Sequence, residues 1–220
     1  MNIYVIGNSH QSAEIQNKIS DEHSVTLVDN LGGITGESEL VVFDFSLDDS
    51  PDDLDQYSGL SNIHLFINST RSSLAELTYF SDDLLPNLYG IAGDSTFLER
   101  PLLEVSAHHN NRSDAKELFA SLGLKATLVA DRVGLVTPRI VSMIINEAYF
   151  TVMEGTASRD DIDTGMKLGT NYPWGPFEWI EKWGVANVYE LLEALYLDSK
   201  DERYKICPLL KQEYLKLAYS

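Results

Sequence analysis

The chain has 220 residues, and 44% of them are hydrophobic, so it can bury the core of one large or two small domains; a disordered chain is excluded. Its 34 acidic residues against 16 Lys and Arg give a net charge of −18, which argues against nucleic acid and anionic membranes as partners. One cysteine rules out an internal disulfide and suggests no metal site, and no leader or long apolar run is evident, so we expect a cytoplasmic protein.

The first 131 residues alternate β-rich runs with helical or loop stretches. Strands are predicted at NIYVIG, SVTLVD, ELVVFDF, NIHLFIN, NLYGIAG, LLEVSA and KATLVAD. The helices between them include RSDAKELFASLG, which Gly123 would end. This alternation predicts βαβ units and a mainly parallel sheet in a domain spanning residues 1–131.

From residue 132 onward the pattern predicts helices alone. A long helix begins at Thr137 and Pro138 and ends at Gly155, and its apolar residues surround most of its girth, which is typical of burial on several sides. Further helices are predicted at SRDD, GPFEWIEKWG, NVYELLEALYL and CPLLKQEYLKLAY. The sequence therefore predicts an all-α domain at residues 132–220, joined to the α/β domain without a flexible linker.

The first strand ends at Gly7, where the dinucleotide fingerprint G-x-G-x-x-G would begin. Ser9 and Ser12 stand in place of its second and third glycines. A Cβ at the second position points toward the pyrophosphate, although Ser9 could hydrogen-bond a phosphate at the helix N-terminus. Asp29 follows Gly7 by 22 residues, near the spacing of a ribose-binding acid. The turn is either an eroded NAD site or an ordinary strand–turn–helix.

Several blocks of the helical half stand in a recognisable order. They are Asn146-Glu147-Ala148, Glu154-Gly155, Asp161-Ile162-Asp163, Met166-Lys167-Leu168-Gly169 and Pro173-Trp174-Gly175-Pro176-Phe177-Glu178. These blocks closely resemble the C-terminal domain of 3-hydroxyacyl-CoA dehydrogenases. The resemblance implies a shortened Rossmann-type domain before the helical one, NAD-dependent oxidation of a 3-hydroxyacyl-CoA, and a homodimer formed through the helical domain.

The resemblance is fainter in the first half, where a helical excursion between the second and third strands is missing. It implies that Gly7, Ser9, Ser12 and Asp29 would contact NAD. Ser72, in INSTRSSLAEL, corresponds to a serine that faces the acyl-CoA substrate.

The catalytic positions of the family are altered in this chain. Glu104 matches the glutamate that orients the catalytic histidine, but the alignment on Leu103-Glu104-Val105 puts Ala92 at the histidine itself. Ser95 and Pro138 stand where the family has asparagines. A hydride transfer to NAD also releases a proton, which histidine accepts most easily near neutral pH.

Two functions are therefore open. If His108 or His109, a few residues after Glu104, folds back as a replacement base, the chain is an NAD-dependent dehydrogenase. If both histidines are merely solvated and Glu104 is a half-buried acid with another partner, the chain is a catalytically silent homologue. Such a homologue would hold an acyl-CoA-like ligand or act as a partner subunit.

Overall fold

The structure, a computed structural model, describes residues 1–34, 39–48, 50–60, 62–79 and 87–217. The chain packs as two compact units, Met1–Leu135 and Val136–Ser220, which divide shortly after the predicted boundary at residue 131. The first unit is an α/β domain and the second is helical, so the predicted fold class is confirmed.

Seven strands among the described residues form one sheet. They are β1 (Asn2–Ile6), β2 (Val25–Val28), β3 (Leu40–Asp44), β4 (Ile63–Asn68), β5 (Asn87–Ile91), β6 (Leu103–Ala107) and β7 (Ala126–Leu128). Their spatial order is β2-β1-β3-β4-β5-β6-β7. The five strands β1 to β5 all run parallel to one another. Strand β6 is antiparallel to β5, and β7 is parallel to β6. The order reverses between β1 and β3, the position at which open α/β sheets bind ligands.

The central strands are apolar on both faces because both faces of the sheet are covered. Every residue of β3 and β4 is buried, with Val41 and Phe43 in one core and Leu40 and Val42 in the other. Strand β2 forms an edge and is only partly buried. The α-helices of this unit are α1 (Ser9–Lys18), α2 (Leu74–Leu77), α3 (Ser95–Leu98) and α4 (Ala115–Leu122).

The second unit contains five α-helices among the described residues. They are α5 (Thr137–Met153), α6 (Arg159–Thr170), α7 (Pro176–Trp183), α8 (Val185–Ser199) and α9 (Pro208–Leu217). Helix α5 is less buried than its sequence predicts: Ile145 and Tyr149 are fully buried, but Ile140 is 53% exposed. The helix therefore carries one core face and one exposed apolar face. Across the described residues, no helix is both long enough and apolar enough to cross a bilayer.

Asp163, in one of the sequence blocks, joins α6 to α7. Its carboxylate is 9% exposed and accepts the backbone N–H groups of Phe177 at 2.8 Å and Glu178 at 3.1 Å. Gly175 passes so close that a Cβ there would collide with this carboxylate. These contacts occupy free N–H groups in the first turn of α7, so the block stabilises the packing of two helices.

Asn146, in another block, fastens the segment before α9 to α5. Its side chain is 4% exposed, donates to the Lys205 carbonyl and accepts the Cys207 N–H, both at 2.9 Å. One buried amide thus satisfies two backbone groups of an irregular segment, which explains an asparagine in the middle of an apolar helix.

Candidate functional site

The strand register brings the predicted site residues to one edge of the sheet. Ile6 pairs with Val28, so Gly7 and Asp29, the residues that follow β1 and β2, lie side by side at the carboxyl ends of these strands. The segment that follows β4, which contains Ser72, and Ala92, which follows β5, lie at the same edge. This edge is where an α/β sheet of this kind binds ligands.

Glu104 and Ala92 are neighbours on adjacent strands. Ile91 pairs with Val105 in the antiparallel pair of β5 and β6, and one further step in that register sets Ala92 opposite Glu104. Ala92 is 3% exposed and Glu104 is half-buried. The methyl group of Ala92 cannot accept a proton, so the position aligned with the catalytic histidine offers no base.

His108 and His109 lie at the opposite edge of the sheet. Because β6 runs antiparallel to β5, it carries the chain away from the carboxyl edge, and the His108 N–H bonds the Leu88 carbonyl at the start of β5. Four residue steps along the strand separate His108 from Glu104 by about 13 Å. The strand register therefore does not favour the alternative in which either histidine serves Glu104 as a replacement base.

His108 also has a different environment from a catalytic histidine held by a carboxylate. Burial lowers its pKa, the adjacent His109 lowers the pKa further, and Asp131 opposes them. Its Nε2 lies 3.5 Å from Thr78 Oγ1. This favours a neutral imidazole that bonds locally.

Ser72 is half-buried and directly precedes the cap of α2. Ser73 accepts the Glu76 N–H at 3.2 Å, while Asp131 accepts the N–H groups of Leu74 at 2.8 Å and Ala75 at 3.0 Å. The first turn of α2 is thus fully occupied by the chain's own side chains. Sequence reasoning missed Asp131, since it lies far from α2 along the chain.

Two residues that sequence reasoning also missed shape the first βα turn. Asn8 caps α1 and accepts the Gln11 N–H, while Gln11 Oε1 accepts the Asn8 N–H, both at 2.9 Å. Ser9 is the first residue of α1 and is exposed, whereas Ser12 is half-buried one turn later. The N-x-x-Q spacing was the available signal for this reciprocal capping box.

The residues that follow β2 and begin α3 complete the carboxyl edge. Asp29 is exposed, and the next residue, Asn30, accepts the Gly32 N–H at 2.9 Å. Ser95 begins α3, and its side chain lies outside the described part of the structure. Pro138 is buried in the first turn of α5 and has no polar side-chain group, whereas the resembled family has an asparagine at this position.

A second concave surface lies wholly within the helical unit. This groove has a volume of about 410 Å³ and runs along the exposed face of α5. Its floor is apolar and its ends carry charges of both signs, from Arg139 and Glu147. The groove is lined by Arg139, Ile140, Met143, Ile144, Glu147 and Tyr204, among others.

The helical unit carries the likeness to a known family. Residues 134–217 match the family described as 3-hydroxyacyl-CoA dehydrogenase, C-terminal domain. The predicted resemblance of the sequence blocks to that domain is therefore confirmed for the helical unit.

Relatives from this dehydrogenase family match less than half of the chain. The 3-hydroxyadipyl-CoA dehydrogenase of Escherichia coli K12 is 46% identical over 87 residues, which are 40% of this chain and 18% of that protein. A probable 3-hydroxybutyryl-CoA dehydrogenase of Bacillus subtilis is 36% identical over 106 residues, 48% of this chain and 37% of that protein. The matches therefore span under two fifths of either relative.

A solved family structure extends the likeness to the whole chain at the level of the fold. The (S)-3-hydroxybutyryl-CoA dehydrogenase from Ralstonia eutropha superposes with a TM-score of 0.73 over 99% of this chain and 94% of that chain. The sequence identity is 19%, so this likeness concerns the fold alone.

Proposed function

We propose that this chain is a catalytically silent member of the 3-hydroxyacyl-CoA dehydrogenase family that acts as a dimer-forming partner subunit. The observation that carries the proposal is the register of β5 and β6, which extended by one residue places Ala92 opposite Glu104. The position that resembles the catalytic histidine thus holds a methyl group in place of an imidazole, and His108 and His109 lie at the other edge of the sheet. Loss of general base catalysis alone lowers a rate by about 10²–10⁴-fold.

The exposed face of α5 supports the subunit role. Ile140 lies on that face at 53% exposure, with Met143 and Ile144 half-buried beside it. Arg139 and Glu147 stand one helical turn before and after Met143. If two copies of α5 cross antiparallel at Met143, Arg139 of each copy meets Glu147 of the other. A two-fold interface requires this self-complementarity.

Binding of an acyl-CoA-like ligand at the carboxyl edge stays a prediction for the same chain. Ser72 supports this prediction. The hydroxyl of the next residue, Ser73, is used to cap α2, but Ser72 lies before that cap, at the edge of the sheet where a ligand would bind. The ligand would be held without being oxidised, since proton transfer has no acceptor at Ala92.

The proposal is tested by incubating the purified chain with acetoacetyl-CoA and NADH and following NADH absorbance. We expect no enzyme-dependent loss of absorbance. An active family dehydrogenase assayed alongside shows that the reagents are competent. Turnover at a rate ordinary for an enzyme, abolished by Glu104→Ala, would overturn the proposal.

A further inference from the structure

We infer that the first βα turn of this chain is closed against NAD, because Gln11 and Phe45 take the hydrogen bonds and the space that a dinucleotide pyrophosphate requires. The inference deepens the proposed function, on which it rests, since it makes the loss of cofactor a second and separate lesion. It concerns Gln11 in α1 and Phe45 directly after β3, whereas Ala92 follows β5.

A pyrophosphate at a Rossmann turn needs free backbone N–H groups at the helix N-terminus and a close approach to the backbone. Two of those groups are already bonded here. The Asn8 N–H donates to Gln11 Oε1, and the Gln11 N–H donates to Asn8 Oδ1. A phosphate oxygen that bonds these two N–H groups would have to displace both side chains, so the capping box competes directly with the ligand for them.

The space beside Gly7 is also filled from within the chain. A Cβ at Gly7 would collide with Gln11 Oε1 and lie 3.1 Å from Phe45 Cδ2. The same ring lies 3.0 Å from the place where a Cβ of Gly93 would stand, and Phe45 is only 7% exposed. The ring thus lies between the turn after β1 and the turn after β5, across the crevice in which a dinucleotide would lie.

The charges around the turn are unfavourable to an anion. The capping box presents side-chain oxygens of Asn8 and Gln11 toward the helix N-terminus. His10, the neighbouring group that can become cationic, is 3.6 Å from the carboxylate of Glu99. The end of β3 adds Asp44, which is fully buried and bonded to Tyr57 and Ser46. The residues present therefore do not fit the cofactor that the family uses.

The test is an equilibrium titration of the full chain with NADH alone, followed by calorimetry and by the fluorescence of the nicotinamide. We expect no saturable binding by the parent at millimolar NADH. The double variant Ser9→Gly/Gln11→Ala removes the capping box, whereas Ser9→Gly alone keeps it without adding charge and serves as the matched control. We expect the double variant to bind at least about tenfold more tightly than Ser9→Gly, a difference of about 1.4 kcal/mol.

Micromolar binding of NADH by the parent would overturn the inference, and so would equal affinities of the double variant and Ser9→Gly. Circular dichroism of each variant shows whether it is folded, and the parent titration alone decides the first point. Because no acyl-CoA is present, binding without turnover overturns this inference and leaves the proposed function intact. Turnover in the separate acetoacetyl-CoA assay would overturn both.

Discussion

Replacing Asp163 tests whether the sequence blocks of the family act as structural contacts. Its carboxylate accepts two N–H groups at the start of α7, and the Phe177 end of that pair is buried. Asp163→Ala removes both acceptors. Each buried donor left without a partner costs about 1–2 kcal/mol, so the helical unit should lose about 2–4 kcal/mol. Asp163→Asn keeps one acceptor oxygen and should lose about half as much.

Tryptophan fluorescence measures this loss at the right place. The chain has three tryptophans, and Trp174, Trp179 and Trp183 all lie in or beside α7. Urea unfolding followed by their emission therefore reports on the helix that Asp163 caps. With a slope of about 2 kcal/mol per molar urea, the midpoint for Asp163→Ala should fall by roughly 1–2 M.

Asp160→Asn is the matched control, because it removes the same charge from an exposed position in the first turn of α6. Its free energy of unfolding should stay within about 0.5 kcal/mol of the parent's. If Asp163→Ala and Asp160→Asn unfold at the same urea concentration, the proposed stabilisation of α7 by the Asp163 carboxylate is refuted.

Two further predictions concern charged groups of the helical unit. Glu147→Arg and Arg139→Glu should each convert the expected dimer to a monomer in analytical ultracentrifugation, and the double charge swap should restore the dimer. Glu181→Arg, at an exposed position of α7, is the control and should leave the dimer intact. A parent chain that is monomeric at micromolar concentration would contradict the interface. Hydrogen bonds from Lys167 and from the Gly175 backbone lower the pKa of Glu178, so its stabilising contribution is present above the ordinary glutamate pKa of about 4.3 and is lost as pH falls through the lower folded value. Lys167→Met should flatten this acid-side loss in urea midpoints measured against pH, and an unchanged pH profile would contradict the assignment.

The regular elements were predictable from the sequence because their signals are local. The apolar runs of β3 and β4 and the proline in the first turn of α5, Pro138, are each signals carried by a few adjacent residues. The direction of β6 is not a local property. Only 11 residues join Ile91 to Leu103, too few for the crossover that a parallel strand needs, so the chain returns antiparallel. That reversal places Glu104 at the carboxyl edge of the sheet and His108 at the opposite edge.

The position of the candidate site could be predicted from the sequence, but the side chains that surround the first βα turn could not. The order of strand, Gly7, helix, strand and Asp29 was enough to place those two residues at one edge. The position of the Phe45 ring depends on side-chain packing across three strands, which no spacing in the sequence reports. Gln11 was visible beside Asn8, but the comparison with a glycine fingerprint directs attention to the missing glycines.

The side-chain hydrogen bonds that Asn146 and Asp163 form with the backbone have an evolutionary consequence. Both side chains bond backbone groups inside the helical unit, so selection for a stable fold is enough to preserve them after a reaction has been lost. Family membership judged on these blocks will therefore gather working dehydrogenases and silent descendants alike. Under the proposals made for this chain, the residues that would separate the two groups are those at positions 11, 45 and 92, which lie in the sheet unit and outside these blocks.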